Sequence, residues 1–142
     1  MGKMDLFLVT ISAWIKKWNK YLLHQRSLTD KTRPGERSIP WGKLEPNMWL
    51  QGLEKNLANE IAEEVGIKVK NSKLIANEIR MSFAGTTNRA RLMYHCERKF
   101  WTAQALDDTN AIQWVTLDEL KKFKNTNELL KNDIKALLTS LK

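Results

Sequence analysis

Cysteine is nearly missing from this chain, with Cys96 alone among 142 residues. A single thiol cannot close an intrachain disulfide, so a reducing, cytoplasmic setting is the simplest home. Histidine is almost as scarce. His24 and His95 lie far apart in sequence, and without a second cysteine or histidines at ligand spacing no structural zinc site is expected. Long apolar runs are lacking too. The apolar stretch from Leu6 to Ile15 falls well short of the roughly 20 residues that a membrane span needs. No small-residue cleavage site follows it, and Leu6 stands where a myristoylation motif wants Ser or Thr. A membrane partner is therefore not expected. Repeats, low-complexity tracts and linkers are also absent from the pattern, and the length suits one domain over residues 1–142.

What is there is a basic, ordinary globular composition. Lys and Arg number 24 against 16 Asp and Glu, a formal charge of +8, which fits an anionic partner. Nucleotides, nucleic acid and acidic membranes all qualify, and no basic block is dense enough to choose among them. A nucleic-acid-binding domain would need a stacking surface. Trp14, Trp18, Trp41, Trp49 and Trp101 read better as core or loop anchors, so nucleic acid is not expected as a partner. The sequence leaves the oligomeric state open.

Apolar periodicity supplies the elements. Leu6 to Ile15 reads as a buried strand, Lys16 to Lys20 as a polar turn, and Tyr21 to Arg26 as the hairpin partner. Ser27 to Ser38 is loop, and a helix runs from about Leu50 to Val65. Ser72 to Phe83 reads as a strand, residues 84–88 as a turn, and Arg89 to Ala105 as a strand interrupted by Glu97-Arg98-Lys99. A turn at Asp107 to Asn110 leads to a short strand, Ile112 to Val115. Thr116 and Glu119 form a capping box that starts a helix, and a last helix spans Asn127 to Leu141. Mixed strands with helices between and after them imply an α+β or α/β/α sandwich.

The first of these helices carries the richest chemistry. Glu60, Glu63 and Glu64 sit at i, i+3 and i+4, along one helix side, while Leu53, Leu57, Ile61 and Val65 mark an apolar stripe. Gly66 stands where a C-cap glycine belongs. Three like charges on one side weaken a helix, and a hard divalent cation that takes oxygen ligands would relieve them; a solvated acidic face is the alternative.

Glu60-x-x-Glu63-Glu64-x-Gly66-Ile67 resembles the second half of the Nudix box, and Pro40-Trp41-Gly42-Lys43-Leu44-Glu45-Pro46 resembles its opening. The box is degenerate. Trp41 replaces the first glycine of the pair, Asn47-Met48 the expected Gly-Glu, and Asn59 the arginine, and the spacer is three residues longer than usual. The resemblance implies the Nudix fold, a mixed β-sheet sandwiched between α-helices, and a hydrolase of nucleoside diphosphate-linked substrates. Within the family the chain is most similar to MutT-like pyrophosphohydrolases, through the strand ending at Arg26, the segment Trp114 to Leu120, and the stretch Phe123 to Glu128.

That likeness implies Mg²⁺ or Mn²⁺ held by Glu60, Glu63 and Glu64, with a backbone carbonyl near Trp41 or Gly42. It implies a further catalytic acid at Asp108, with Asp107 as substitute, and both also read as solvated turn aspartates. It implies a nucleotide substrate met by Arg26, Lys43 and Asn127, a purine nucleoside triphosphate cut to monophosphate and pyrophosphate. Asn127 reads equally as a helix N-cap. A nucleotide-binding module without efficient hydrolysis, or a hydrolase of ADP-ribose, dinucleoside polyphosphates or RNA 5′ ends, remains the alternative. Retention of all three glutamates favours the enzyme, since a pure binding module gains nothing by holding like charges together.

Overall fold

The computed structural model describes residues 7–29, 34–44, 52–80, 88–106, 109–123 and 126–142. Its strands are β1 (Phe7–Lys17), β2 (Lys20–Arg26), β3 (Arg37–Ser38), β4 (Trp41–Lys43), β5 (Lys68–Arg80), β6 (Asn88–Phe100) and β7 (Thr109–Thr116). Its helices are α1 (Gly52–Val65), α2 (Leu117–Lys121) and α3 (Glu128–Ser140). The strands form one sheet in the order β3-β2-β1-β6-β5, with β4 also on β1 and β7 also on β2. β1 and β6 are parallel from Phe7 opposite Asn88 to Lys16 opposite Glu97, and the other pairs are antiparallel. The sheet is therefore mixed.

Alternation along the central strands feeds two cores, one on each face. Ile11, Ala13 and Ile15 of β1 join Leu22, Tyr94 and Cys96 against Leu57, Ile61 and Val65 of α1. On the other face Trp14, Tyr21, Leu23, Met93 and Val115 meet Leu120 of α2 and Leu130, Ile134 and Leu137 of α3. Helices on both faces of a mixed sheet make the expected α+β sandwich. Trp14 fixes the α3 layer twice, by burial and by donating its indole N–H to the Asp133 carbonyl at 3.1 Å. Burial pushes the Cys96 thiol up to about 12, so it stays an unreactive thiol in the core.

Several expectations from sequence need correction. Glu97-Arg98-Lys99 do not interrupt β6, which pairs with β5 through Phe100; these residues reach the sheet end, where pairing does not demand apolar side chains. β5 begins at Lys68 rather than Ser72, because irregularities between Lys68 and Val69, Lys70 and Lys73, and Leu74 and Ala76 break its alternation. β7 begins at Thr109, inside the expected turn. The short strands β3 and β4 fall within or beside segments read as loop. The tryptophans divide. Trp14 is core and Trp41 is half-buried, whereas Trp18 and Trp101 stand in solvent at 84% and 58% exposure. Trp49, Met48 and the turn at 84–87 lie outside the described residues.

Candidate active site

α1 folds as its stripe dictates: Leu57, Ile61 and Val65 are buried, and Leu53 packs partly against the same core. This orientation leaves Glu60 and Glu64 half-buried at the flank and Glu63 exposed. Gly66 ends the helix with φ +70°, its N–H donating to the Ala62 carbonyl at 3.0 Å. The last carbonyls of α1 are then capped by the strap after β6. Gln104 N–H donates to Val65 O at 2.9 Å, and Leu106 N–H to Glu64 O at 3.0 Å.

The two halves of the motif come together at β4. Asn56 is buried on α1, and its side-chain N–H donates to the Lys43 carbonyl at 3.1 Å, tying helix to strand. One turn further on, the Glu60 side chain lies against Gly42, so closely that a Cβ at residue 42 would overlap its carboxylate carbon and one oxygen. Here the glycine is required by close approach. Gly42 is itself buried, paired with Ile11 of β1.

Arg26 arrives at the same place from β2. The β2–β7 ladder shifts register between Gln25 and Arg26, and such an irregularity re-aims the side chain that follows it. The guanidinium carbon of Arg26 lies 5.5 Å from the centroid of the Trp41 ring, a cation–π contact between two half-buried groups. The structure thus brings Arg26, Trp41, Gly42 and Glu60 together, with Glu64 on the adjoining helix turn. Lys43 is exposed at the end of β4. Asp107 and Asp108 lie outside the described residues.

Asn127 is the N-cap of α3, and its side-chain oxygen accepts from Leu130 N–H at 2.8 Å. Its side-chain nitrogen donates to the Arg37 carbonyl at 3.1 Å, so both ends of the amide join α3 to β3.

Sequence reasoning passed over His24. It is buried two residues before Arg26, with Nε2 3.2 Å from Ile39 O and 2.9 Å from Ser38 Oγ, and Nδ1 3.3 Å from Thr109 Oγ1. A carbonyl only accepts, so the proton sits on Nε2, and Nδ1 accepts from the Thr109 hydroxyl. Burial lowers the imidazole to about 4, against a smaller opposing effect of the Ile39 carbonyl. His24 is thus a neutral pin joining β2, the β3–β4 corner and the start of β7. Its position at the buried end of a strand leading to Arg26 was the available signal.

The Glu60 carboxylate beside the Gly42 backbone is the kind of oxygen donor that suits a hard divalent cation. The Gly42–Glu60 contact leaves no side chain between that strand and the carboxylate. Among the described residues, however, no three His, Cys, Asp or Glu side chains converge tightly enough to form a ready-made metal cage.

No family model matches this sequence, and no curated protein does. Solved structures do. The MutT protein from Methanosarcina mazei Go1 superposes with a TM-score of 0.76 at 17% identity, covering 99% of this chain and 100% of that one. The MutT Nudix hydrolase from Burkholderia pseudomallei gives 0.74 at 19% identity over 93% and 98%. The Nudix domain of Shewanella oneidensis NrtR, solved with ADP ribose, gives 0.75 at 15% identity over 98% and 91%. The architecture of this chain is the Nudix fold.

Proposed function

We propose that this chain is a Nudix-type hydrolase of phosphoanhydride bonds, dependent on Mg²⁺ or Mn²⁺. The observation that carries the proposal is the packing of Glu60 against Gly42, which joins the two halves of the degenerate box in space. In this reading Glu60, Glu63 and Glu64 hold the cation, with a main-chain carbonyl of Trp41 or Gly42 as a further ligand. When bound, the ion neutralises charge building on the phosphoryl oxygens.

The substrate we assign is a purine nucleoside triphosphate, ordinary or oxidised. Water attacks phosphorus, the P–O bond to the leaving group breaks, and the products are monophosphate and pyrophosphate. Arg26, braced on Trp41, meets the phosphates or the base, and exposed Lys43 adds positive charge at the mouth. Asp108 supplies an additional carboxylate from the segment before β7. Asn127, the residue expected to meet a purine, has its amide engaged at both ends, which supports its helix-cap role. Support for a nucleotide substrate comes from the neighbours: one is solved with ADP ribose, and another is a UDP-X diphosphatase.

A second reading, a nucleotide-binding module with little hydrolysis, draws on Asn59 in place of the arginine and on the lack of three converged carboxylates among the described residues. One experiment separates them. A panel of nucleoside triphosphates, ADP-ribose and dinucleoside polyphosphates is incubated with Mg²⁺ or Mn²⁺, and the products are resolved by chromatography. Hydrolysis that disappears in Glu63→Gln and Glu64→Gln supports the enzyme, read as pyrophosphate from a triphosphate and as nucleotide products from ADP-ribose or a dinucleoside polyphosphate. Nucleotide binding without turnover, unchanged by either substitution, establishes the module instead.

A further inference from the structure

One end of the sheet gathers rings and charges that the carboxylate site does not use. β1 ends at Lys17 and turns at Trp18, its parallel neighbour β6 ends at Lys99 and Phe100, and β5 starts at Lys68 opposite Phe100. Trp18, Trp101 and Phe100 are 84%, 58% and 51% exposed. Both tryptophans hold left-handed backbone, with φ +56° at Trp18 and +71° at Trp101. That conformation is unfavourable for any residue with a Cβ; at Trp18 the two-residue turn between Lys17 and Lys20 calls for it. A large ring in solvent on a strained residue adds little to a core.

Each of the three exposed rings has a lysine over it. Lys17 Nζ lies 5.6 Å from the Trp18 centroid and 5.5 Å from that of half-buried Trp114. Lys68 Nζ is 5.5 Å from the Trp101 ring, and Lys99 Nζ 5.2 Å from the Phe100 ring. Phe100 and Trp101 lie 6.5 Å apart, tilted by 49°. The acid nearest in sequence, Glu97, accepts from the Asn71 side chain at 3.2 Å.

We propose that this end of the sheet is a platform for single-stranded nucleic acid. Unpaired bases stack on aromatic faces whatever their sequence, while lysines track the phosphates. A lysine over one face of each exposed ring leaves the other face for a base and sets a positive charge within reach of its phosphate. The formal charge of +8 favours the encounter. A bilayer fits less well, because rings entering the acyl region would carry the ammonium groups over their faces with them. This site is independent of the hydrolase reading, for none of its residues lies on α1 or β4.

The test is fluorescence anisotropy with a labelled 5′-hydroxyl oligouridylate about 12 nucleotides long, which offers no anhydride to hydrolyse. Binding is expected, falling steeply as salt rises. Trp18→Gly and Trp101→Gly should each weaken it about tenfold, and the double variant more. Glycine takes a left-handed backbone without strain, so the melting temperatures of these variants should stay close to wild type. A purely structural role would lower melting temperature and binding together. Unchanged affinity in the double variant overturns the platform. Equal affinity for a duplex of the same length, or partition onto phosphatidylserine vesicles with no oligonucleotide binding, overturns it as well.

Discussion

A glycine and a glutamate from the two halves of one motif meet at closer range than any side chain at residue 42 permits. Gly42→Ala forces the Glu60 carboxylate aside, and the flexible side chain can yield without unfolding the helix. On the hydrolase reading the expected result is a rate loss on the order of a hundredfold, as for a catalytic group misplaced by about 1 Å, with melting temperature little changed. Parallel losses of stability and rate would mean that the contact is structural alone. His24 makes a different prediction. Its imidazole is lowered to about 4 in the fold, so the unfolded chain binds the proton first as pH falls. The stability it contributes is present above about pH 6.5, and is lost between there and about pH 4. At full extent the loss is about 3 kcal/mol. Urea titrations of wild type and His24→Gln across that window check the sign: the gap between them should narrow on acidification. His95 is also lowered by burial, but it is common to both proteins and drops out of the difference.

At the scale of elements, α1 is legible in the sequence because its apolar stripe and its carboxylates obey one period. The capping box at Thr116 and the N-cap at Asn127 were legible for a similar reason, since caps depend on residues a few positions apart. What was hidden depends on partners distant in sequence. β3 and β4 are short strands made by the edges they meet, and β5 is obscured by its irregular register. The approach of Arg26 to Trp41 was hidden likewise, since the register shift beside Arg26 leaves no trace in hydropathy. Within α1, Asn59 stands where, on the hydrolase reading, an arginine would brace the glutamates. Asn59→Arg should therefore raise the hydrolytic rate while leaving substrate preference unchanged, as initial rates on the nucleotide panel would reveal. A flat or lower rate would indicate that the longer spacer has moved residue 59 away from the site.

At the scale of the molecule, the α3 layer is bound to the sheet by ions as well as by apolar contact. Arg91 on β6 donates to both oxygens of buried Asp133 at 3.1 and 3.3 Å, and to Glu78 on β5 at 3.1 Å. Burial raises the Asp133 carboxyl, and Arg91 opposes that rise. The two ends of this network are unequal. Arg91→Met leaves a buried carboxylate unmatched and should cost about 3 kcal/mol in chemical denaturation. Asp133→Asn should cost less, because Arg91 keeps Glu78. The reverse order would show that the arginine, not the aspartate, is the group that burial penalises.

The parallel pairing of β1 with β6 also governs how the chain reaches its native state. Phe7 must find Asn88, and Lys16 must find Glu97, across most of the intervening sequence. The β1–β2 hairpin can close early, yet the opposite edge of β1 waits until β6 exists. During synthesis this leaves a hydrophobic strand with an open edge, and a nascent chain halted before residue 88 has nothing to cover it. Refolding should accordingly take milliseconds to seconds rather than microseconds, the time being set by loop closure between distant strands.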